Sequence, residues 1–434
     1  MTVRDGDGRL LVFNSFSSAL IQFDGKLAVA AGDMLSGRRP PTGALAKYLA
    51  ERGLLVPAGT REREIARYLH ELPFQSDEHL ALMLLPHENC NFRCTYCYED
   101  FAKNRMLPEV VEGVVALVRT RAPALRSFAL GWFGGEPLLA FDIVEDVATR
   151  LREICAANGV AFSSEMTTNG YLLDANRSTR CIAAGISRYQ VTLDGPAEAH
   201  NTTRMLVGGG ATFDRILSNL RHLRDHADGF HVVIRVNFAP PSLPRLPDFV
   251  KFLGQEFGRD PRFSMRFRPI GRWRGGEHDH HLVICEHEEG EQQEIALMTM
   301  ALEAGFGLQT WAAGMKPYGS ACYAANPQHF VIGSDGIVYK CTVAFNDPRN
   351  QVGRIDADGN LYLRDDLVRL WTRSGEETDA GCRACSFRPA CQGNLCPLER
   401  LDQREKRCPT TKTHIGTILP LLAHDARRSV AVPS

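Results

Sequence analysis

The sequence predicts an α/β protein: an open, partial (β/α)6 barrel with a small α+β module before it and a cysteine-rich region after it. Three observations carry this prediction. From Leu80 onward, short apolar runs alternate with amphipathic helical stretches, the rhythm of parallel strands joined by helical crossovers. There are six such units, too few for a closed eight-fold barrel. Before Leu80 the elements are short and broken by prolines, and after about Gly319 the alternation stops and cysteines accumulate.

Residues 1–75 are expected to form the N-terminal module. A hairpin is expected from Arg9 through Phe13 and on to Val29, then an amphipathic helix through Ala44, Leu45, Tyr48 and Leu49. A short strand at Leu54-Leu55-Val56 and a charged helix from Arg61 to Leu72 follow, with breaks at Pro40-Pro41 and Pro57-Ala-Gly. The barrel is expected over 76–310, with strands at Leu80–Leu85, Phe128–Phe133, Ala161–Thr167, Tyr189–Leu193, His231–Phe238 and Phe263–Arg268. Helices are expected at Val110–Arg119, Ile143–Ala156, Ala175–Ala184, Asp214–His226, Leu246–Gln255 and Gln292–Ala304. Within 311–410, His329–Tyr339 reads as a hairpin about Ser334-Asp335-Gly336. A tail over 411–434 carries the apolar run Ile415–Leu422, expected to be a packing helix.

Composition narrows the function. The 434 residues are 44% hydrophobic and 23% charged, ordinary for a globular chain. Fifty basic against fifty-one acidic residues imply no basic face, so nucleic acid is not an expected partner. The N-terminus has no apolar h-region, and the most apolar run, Leu80–Pro86, is far too short to span a bilayer. A cytoplasmic location without a membrane partner is therefore expected. Thiols stay reduced there, so thirteen cysteines point to metal rather than to disulfides.

The strongest local signal is Cys90-Asn-Phe-Arg-Cys94-Thr-Tyr-Cys97, directly after the first apolar strand. Three thiolates in eight residues hold three irons of a [4Fe–4S] cube and leave the fourth open for something that reacts. A zinc knuckle, the alternative, wants a fourth ligand and paired Cys-x-x-Cys units. The run resembles the signature of the radical S-adenosylmethionine (SAM) enzymes, in which the residue at Tyr96 sets an aromatic against the adenine. One βα unit later, Phe133-Gly134-Gly135-Glu136-Pro137 matches the motif that holds the methionine amino group of SAM. Its glycines admit a close backbone approach, and its carboxylate suits an ammonium. Thr168-Asn169-Gly170-Tyr171, Val191-Thr192-Leu193-Asp194-Gly195-Pro196, His200-Asn-Thr-Thr-Arg204 and Gly210-Ala-Thr-Phe213 follow in order. The resemblance implies SAM contacts at Tyr96, Gly134, Gly135, Glu136, Asn169, Thr192 and Arg204, on a TIM-like partial barrel.

The C-terminal cysteines resemble the SPASM extension of the same enzymes. Cys322 is followed by thirteen residues, Gly336, four residues and Cys341; then come Cys382-x2-Cys385-x5-Cys391-x4-Cys396 and Cys408. The spacing between Cys391 and Cys396 is one residue longer than usual for the extension. The resemblance implies two auxiliary [4Fe–4S] clusters, three in all. One would take Cys382, Cys385, Cys391 and Cys408. The other would take Cys322, Cys341 and Cys396, with its last site either open to substrate or completed by a residue such as His329. Cys155 and Cys181 fall on helical patterns and read as buried structural thiols, and Cys285 follows the polar loop Glu277–His281, which reads as a solvated or substrate-touching insertion or a metal site.

Such parts imply reductive cleavage of SAM to a 5′-deoxyadenosyl radical that abstracts hydrogen, with auxiliary clusters taking up an electron from the product radical. The expected function is a radical SAM peptide maturase that forms an oxidative C–S or C–C crosslink in a ribosomally made precursor. The expected partners are that precursor peptide, with its leader, and an electron donor such as flavodoxin or ferredoxin. The N-terminal module resembles the winged-helix element that grips leader peptides by strand addition, the alternative being a plain capping domain. The alternatives are an anaerobic sulfatase maturase that forms formylglycine and a non-catalytic iron–sulfur electron carrier. Arg235, Asn237, Arg266 and Arg268 alternate on the last two strands, either facing the barrel lumen or fixing the sheet through ion pairs.

Overall fold

Residues 1–273, 279–377, 379–402 and 407–431 are described here from a computed structural model. The chain forms two compact units, one of residues 1–75, 308–325 and 373–434 and the other of 76–307 and 326–372. The cysteine-rich stretch expected as one domain at 311–410 is thus divided between them.

The second unit is built on six parallel strands: β4 (His79–His87), β6 (Ser127–Gly134), β7 (Ala161–Thr168), β8 (Ile186–Thr192), β10 (His231–Phe238) and β11 (Phe263–Pro269). Each pairs with the next in chain order, as a singly wound partial barrel requires. Alternation explains the strands: Leu80, Leu82 and Leu84 of β4, or Val232, Ile234 and Val236 of β10, are buried on one face. Crossovers run through α4 (Pro108–Arg121), α5 (Phe141–Ala157), α6 (Ala175–Ala183), α8 (Phe213–His226) and α9 (Leu246–Phe257), and α10 (His287–Glu303) follows β11 and packs on it. All six strands and six helices expected from the rhythm are present.

Two further features place the site. β4 loses register between Leu84 and His87, where Pro86 cannot donate to a ladder, so the strand bends as it enters the cysteine loop. A two-stranded ribbon not foreseen in the sequence pairs β5 (Phe92–Cys94) antiparallel with β9 (Arg204–Leu206), Cys94 opposite Arg204. At the other edge, β12 (His329–Ile332) runs parallel to β4 and opens an antiparallel meander through β13 (Ile337–Tyr339), β14 (Gln351–Ile355) and β15 (Leu361–Leu363). The expected hairpin is therefore an extension of the barrel sheet.

The first unit begins with an antiparallel sheet of β1 (Thr2–Arg4), β2 (Leu10–Phe13) and β3 (Leu20–Phe23), followed by α1 (Gly25–Leu35), α2 (Gly43–Glu51) and α3 (Glu62–Gln75). Two expectations are corrected. The hairpin ends at Phe23 rather than Val29, because Ala28, Ala31 and Met34 repeat with a helical period and Val29 faces out. Leu54–Val56 is no strand: the amides of Leu54 and Leu55 donate back to the carbonyl of Leu49 and close the end of α2, with Gly53 at φ +67°. Both leucines pack on the core of Leu10, Val12, Phe23, Ala46 and Leu49 instead. The tail forms α17 (Ile415–Ala431), and α11 (Gln309–Met315), α13 (Ala380–Arg383), α14 (Arg388–Cys391), α15 (Pro397–Leu401) and α16 (Thr410–Thr413) belong to the same unit, whereas α7 (Ala197–Thr203) and α12 (Asp365–Thr372) lie in the second.

In α4, a Cβ on Gly113 would lie 2.0 Å from the backbone carbonyl oxygen of Asp356 in the β14–β15 turn. Gly113→Ala is expected to destabilise the second unit by about 1–3 kcal/mol through overpacking, read as a shift in chemical unfolding.

Candidate active site

The cysteine loop is held from two sides. On the first, the glycines of Gly134-Gly135-Glu136 let β6 run against the loop backbone. A Cβ on Gly135 would sit 2.4 Å from the carbonyl oxygen of Asn89, and one on Gly134, at φ +111°, 2.6 Å from that of His87. The Gly135 amide donates to His87 O and the Glu136 amide to Asn89 O, both at 3.1 Å. The glycines thus serve a backbone approach, and its partner here is the cysteine loop.

The Glu136 carboxylate is fully buried. It accepts from the Leu138 amide (3.0 Å), the Thr168 hydroxyl (2.8 Å) and the Asn169 amide (2.8 Å), tying the end of β6 to the end of β7. Its carboxylate thus positions the two strand ends, and Oε2, which accepts only one of the three bonds, keeps a second lone pair. Burial pushes its pKa up against these donors. Asn169 reaches the loop directly: its amide nitrogen donates to Asn91 Oδ1 at 2.8 Å and lies 3.7 Å from Cys90 Sγ.

On the second side stands a buried network. The Tyr96 hydroxyl donates to the Asp194 carboxylate and accepts from Arg204 Nη1 (2.9 Å) and Asn237 Nδ2 (3.1 Å). Asp194 also accepts from the Asn237 amide at 2.8 Å, and Arg204 Nε stands 4.0 Å from Asp194 Oδ2. The Asp194 amide donates to His200 Nδ1, so the ring proton sits on Nε2 and is donated to Thr212, whose hydroxyl donates to the Arg204 carbonyl at 2.6 Å. Asn201 caps the turn by accepting the Thr212 and Phe213 amides. Burial drives His200 down to about 3, keeping it neutral. Thr192 is buried at the end of β8, level with Arg235 of β10. Asp194, His200 and Thr212 stand inside motifs read only for their polarity, and Asn237 was read only as facing the lumen or fixing the sheet.

The residues fit an iron–sulfur group. The thiols of Cys90, Cys94 and Cys97 feel one another's charge, and burial pushes Cys90 and Cys97 up to about 12 and Cys94 upward as well. Three thiolates are stable in such a place only with a cation among them, whose binding expels the protons. The Phe92 amide donates to Cys90 Sγ at 3.3 Å, the kind of N–H···S bond that tunes a cluster. In the first unit Cys391 feels the charges of Cys382 and Cys408, Lys412 Nζ donates to Cys408 Sγ at 3.1 Å, and Lys412 also faces Cys382 and Cys385. Cys322 and Cys396 lie in the first unit and Cys341 in the second. Among the described residues, no three Cys, His, Asp or Glu are gathered as a site for one ion. Cys155 and Cys181 are fully buried on α5 and α6. Of the Glu277–His281 loop, Glu277 and His278 lie outside the described residues. Asp279 is buried, and His281 Nε2 donates to the Thr95 carbonyl at 3.2 Å.

Comparisons with known proteins agree with this chemistry. Residues 84–240 match the model of the radical SAM superfamily. The cysteine-type anaerobic sulfatase-maturating enzyme of Clostridium perfringens (strain 13 / Type A) is 32% identical over 338 residues, 72% of this chain and 88% of the relative. The chain belongs to the radical SAM superfamily. It is an enzyme of that superfamily's maturase group, with SAM and an iron–sulfur cluster as cofactors. Among solved structures, anSMEcpe with bound AdoMet and Cp18Cys peptide superposes with a TM-score of 0.60 at 18% identity, over 81% of this chain and 99% of that one. Streptococcus suis SuiB bound to precursor peptide SuiA superposes with a TM-score of 0.52 at 12% identity, over 94% and 99%. These likenesses extend the shared fold beyond the barrel. No helix among the described residues is long and apolar enough to cross a membrane.

Two outcomes are expected. Gly135→Ala pushes the cysteine loop away, so the purified variant holds markedly less iron and sulfide than wild type while keeping its circular dichroism. His200, held neutral, binds a proton only on unfolding, so stability present above pH 6.5 is lost as the pH falls toward 3. In chemical denaturation of the metal-free protein, His200→Gln is expected to reduce that slope by about 1.4 kcal/mol per pH unit.

Proposed function

We propose that this radical SAM enzyme matures a ribosomally made precursor peptide by forming an oxidative C–S or C–C crosslink. In this reading Cys90, Cys94 and Cys97 hold the SAM-binding cluster. Cys382, Cys385, Cys391 and Cys408 hold one auxiliary cluster, and Cys322, Cys341 and Cys396 the other. When bound, SAM and the clusters supply the 5′-deoxyadenosyl radical and one-electron transfers. The chain supplies placement: Gly134, Gly135 and Glu136 set the loop, Asn169, Thr192 and Arg204 offer polar groups to SAM, and the network fixes the Tyr96 ring for the adenine. A crosslink removes two hydrogens from the peptide, so an electron has to leave after the first abstraction. The thiols of Cys382, Cys385, Cys391 and Cys408, three of them facing Lys412, are suited to hold the group that takes it. Electrons enter from a donor such as flavodoxin or ferredoxin.

The observation that carries the peptide reading is the module ahead of the barrel. Its sheet ends in the edge strand β3, and Leu27, Val29, Ile65 and Tyr68 on α1 and α3 expose apolar side chains in the same unit. An edge strand in a module that also exposes apolar side chains suits an extended leader added as a fourth strand. The likeness to SuiB spans 94% of the chain, against 81% for anSMEcpe. The second reading, oxidation of a sulfatase Cys or Ser to formylglycine, is favoured by the 32% identity to the sulfatase maturase.

Anaerobic reconstitution is expected to yield about twelve irons per chain, three cubes, and 5′-deoxyadenosine on addition of dithionite and SAM. About four irons with turnover would remove the auxiliary clusters. Gln22→Pro in β3, whose amide faces away from β2, is expected to weaken binding of the precursor encoded beside the gene by about tenfold, while SAM cleavage without peptide is unchanged. Turnover of a sulfatase-derived Cys peptide, with none of the precursor, would establish the second reading.

A further inference from the structure

The last two barrel strands carry a cationic cluster that the reading above does not use. β10 and β11 pair in register, Arg235 opposite Arg266 and Asn237 opposite Arg268. Val232, Ile234, Val236, Met265 and Phe267 are buried on one face, and the period of two puts the arginines on the other. That face is the one of Thr192, which is level with Arg235 on β8. The cluster also touches the site: Arg235 Nε donates to Asn237 Oδ1 at 2.8 Å, and Asn237 Nδ2 donates to the Tyr96 hydroxyl.

Ion pairs that fix a sheet need carboxylates, and here the count falls short. Arg268 Nη1 has Glu294 Oε2 at 3.6 Å, and Asp194, which Arg235 senses, already serves Tyr96, Asn237 and Arg204. The Arg266 side chain makes no hydrogen bond or ion pair with any described residue. The charge of Arg268 is the largest influence on Arg266 and, with burial and Arg235, draws it down to about 9 against the pull of Glu294 and Glu165. Like charges gathered in a half-buried place are unfavourable until an anion joins them. Guanidinium forks match a carboxylate in shape as well as charge.

We propose that Arg235, Arg266 and Arg268 form a subsite for a carboxylate of the peptide substrate, an acidic side chain close to the residue being modified. This rests on the peptide-maturase reading. The enzyme then selects precursors with an Asp or Glu beside the reacting residue, and docking that carboxylate orients the target toward the SAM face.

The test is equilibrium binding to the reconstituted enzyme with SAM present, by anaerobic calorimetry. Three probes are used: Ac-Gly-Glu-Gly-amide, Ac-Gly-Gln-Gly-amide and Ac-Gly-Gly-Gly with a free C-terminus. The Glu peptide is expected to bind about tenfold more tightly than the Gln peptide. That preference is lost in Arg266→Gln and largely kept in Arg266→Lys, with the SAM affinity and melting temperature of both variants undiminished. A preference for the free C-terminus alone would overturn the side-chain assignment. Equal binding of all three probes would overturn the subsite. Weaker SAM binding in Arg266→Gln with unchanged peptide binding would assign the cluster to the carboxylate of SAM instead, and a fall in melting temperature in both variants would return it to sheet-fixing ion pairs. Binding needs no turnover, so a Glu preference in an enzyme that modifies no peptide would keep the subsite and remove the maturase reading.

Discussion

The geometry of the site depends on one buried charged constellation, Asp194 with Arg204 and the Tyr96 hydroxyl between them. A carboxylate and a guanidinium taken out of water are costly, and geometry and further hydrogen bonds have to offset that cost. Here every element that meets contributes. Tyr96 comes from the cysteine loop, Asp194 from the end of β8, Arg204 from the ribbon strand β9 and Asn237 from β10. Because Arg204 is also the ladder partner of Cys94, the network fixes the backbone of the middle cysteine as well as its surroundings. Removing either charge would leave the other buried without its partner, so the loop and two strand ends stand or fall together.

The opposite side of the loop is held without an ion pair. Glu136 accepts from three donors and forms no ion pair among the described residues, and its work is to bring together the ends of β6 and β7. The glycines before it remove the side chains that would hold β6 off the loop. These motif residues therefore act largely through backbone placement. A substitution at Glu136 or Gly135 alters the site even where the residue touches no ligand.

Much of this was legible in the chain. Long strands with strict alternation, such as His231–Phe238, and helices bounded by Pro or Gly announce themselves through period alone. So did the cysteine loop, since few structures other than a cluster use three thiols at that spacing. The three-residue strands β5 and β9 were not legible, because Phe92–Cys94 and Arg204–Leu206 are too short to show a period and pair across more than a hundred residues. Leu54–Val56 misled for the opposite reason: an apolar triplet satisfies strand and helix-cap packing equally until its amides are seen to turn back to Leu49. Asp194 and Asn237 were hidden by chemistry rather than length. A buried polar residue looks like any other polar residue until its partners are assembled.

The same electrostatics connects the two sides. Cys90 lies near the buried Glu136, which raises its pKa further, whereas Arg204 lowers that of Cys94. Burial outweighs both influences, so all three thiols are held toward their protonated forms. In the proposed reading, metal displaces the protons of all three thiols as it binds. Iron binding and the closing of the loop between its two clamps are then one event. A loop that lacks either clamp has its three thiols out of place and, with the bonds to Tyr96 broken, loses the partners that orient that ring.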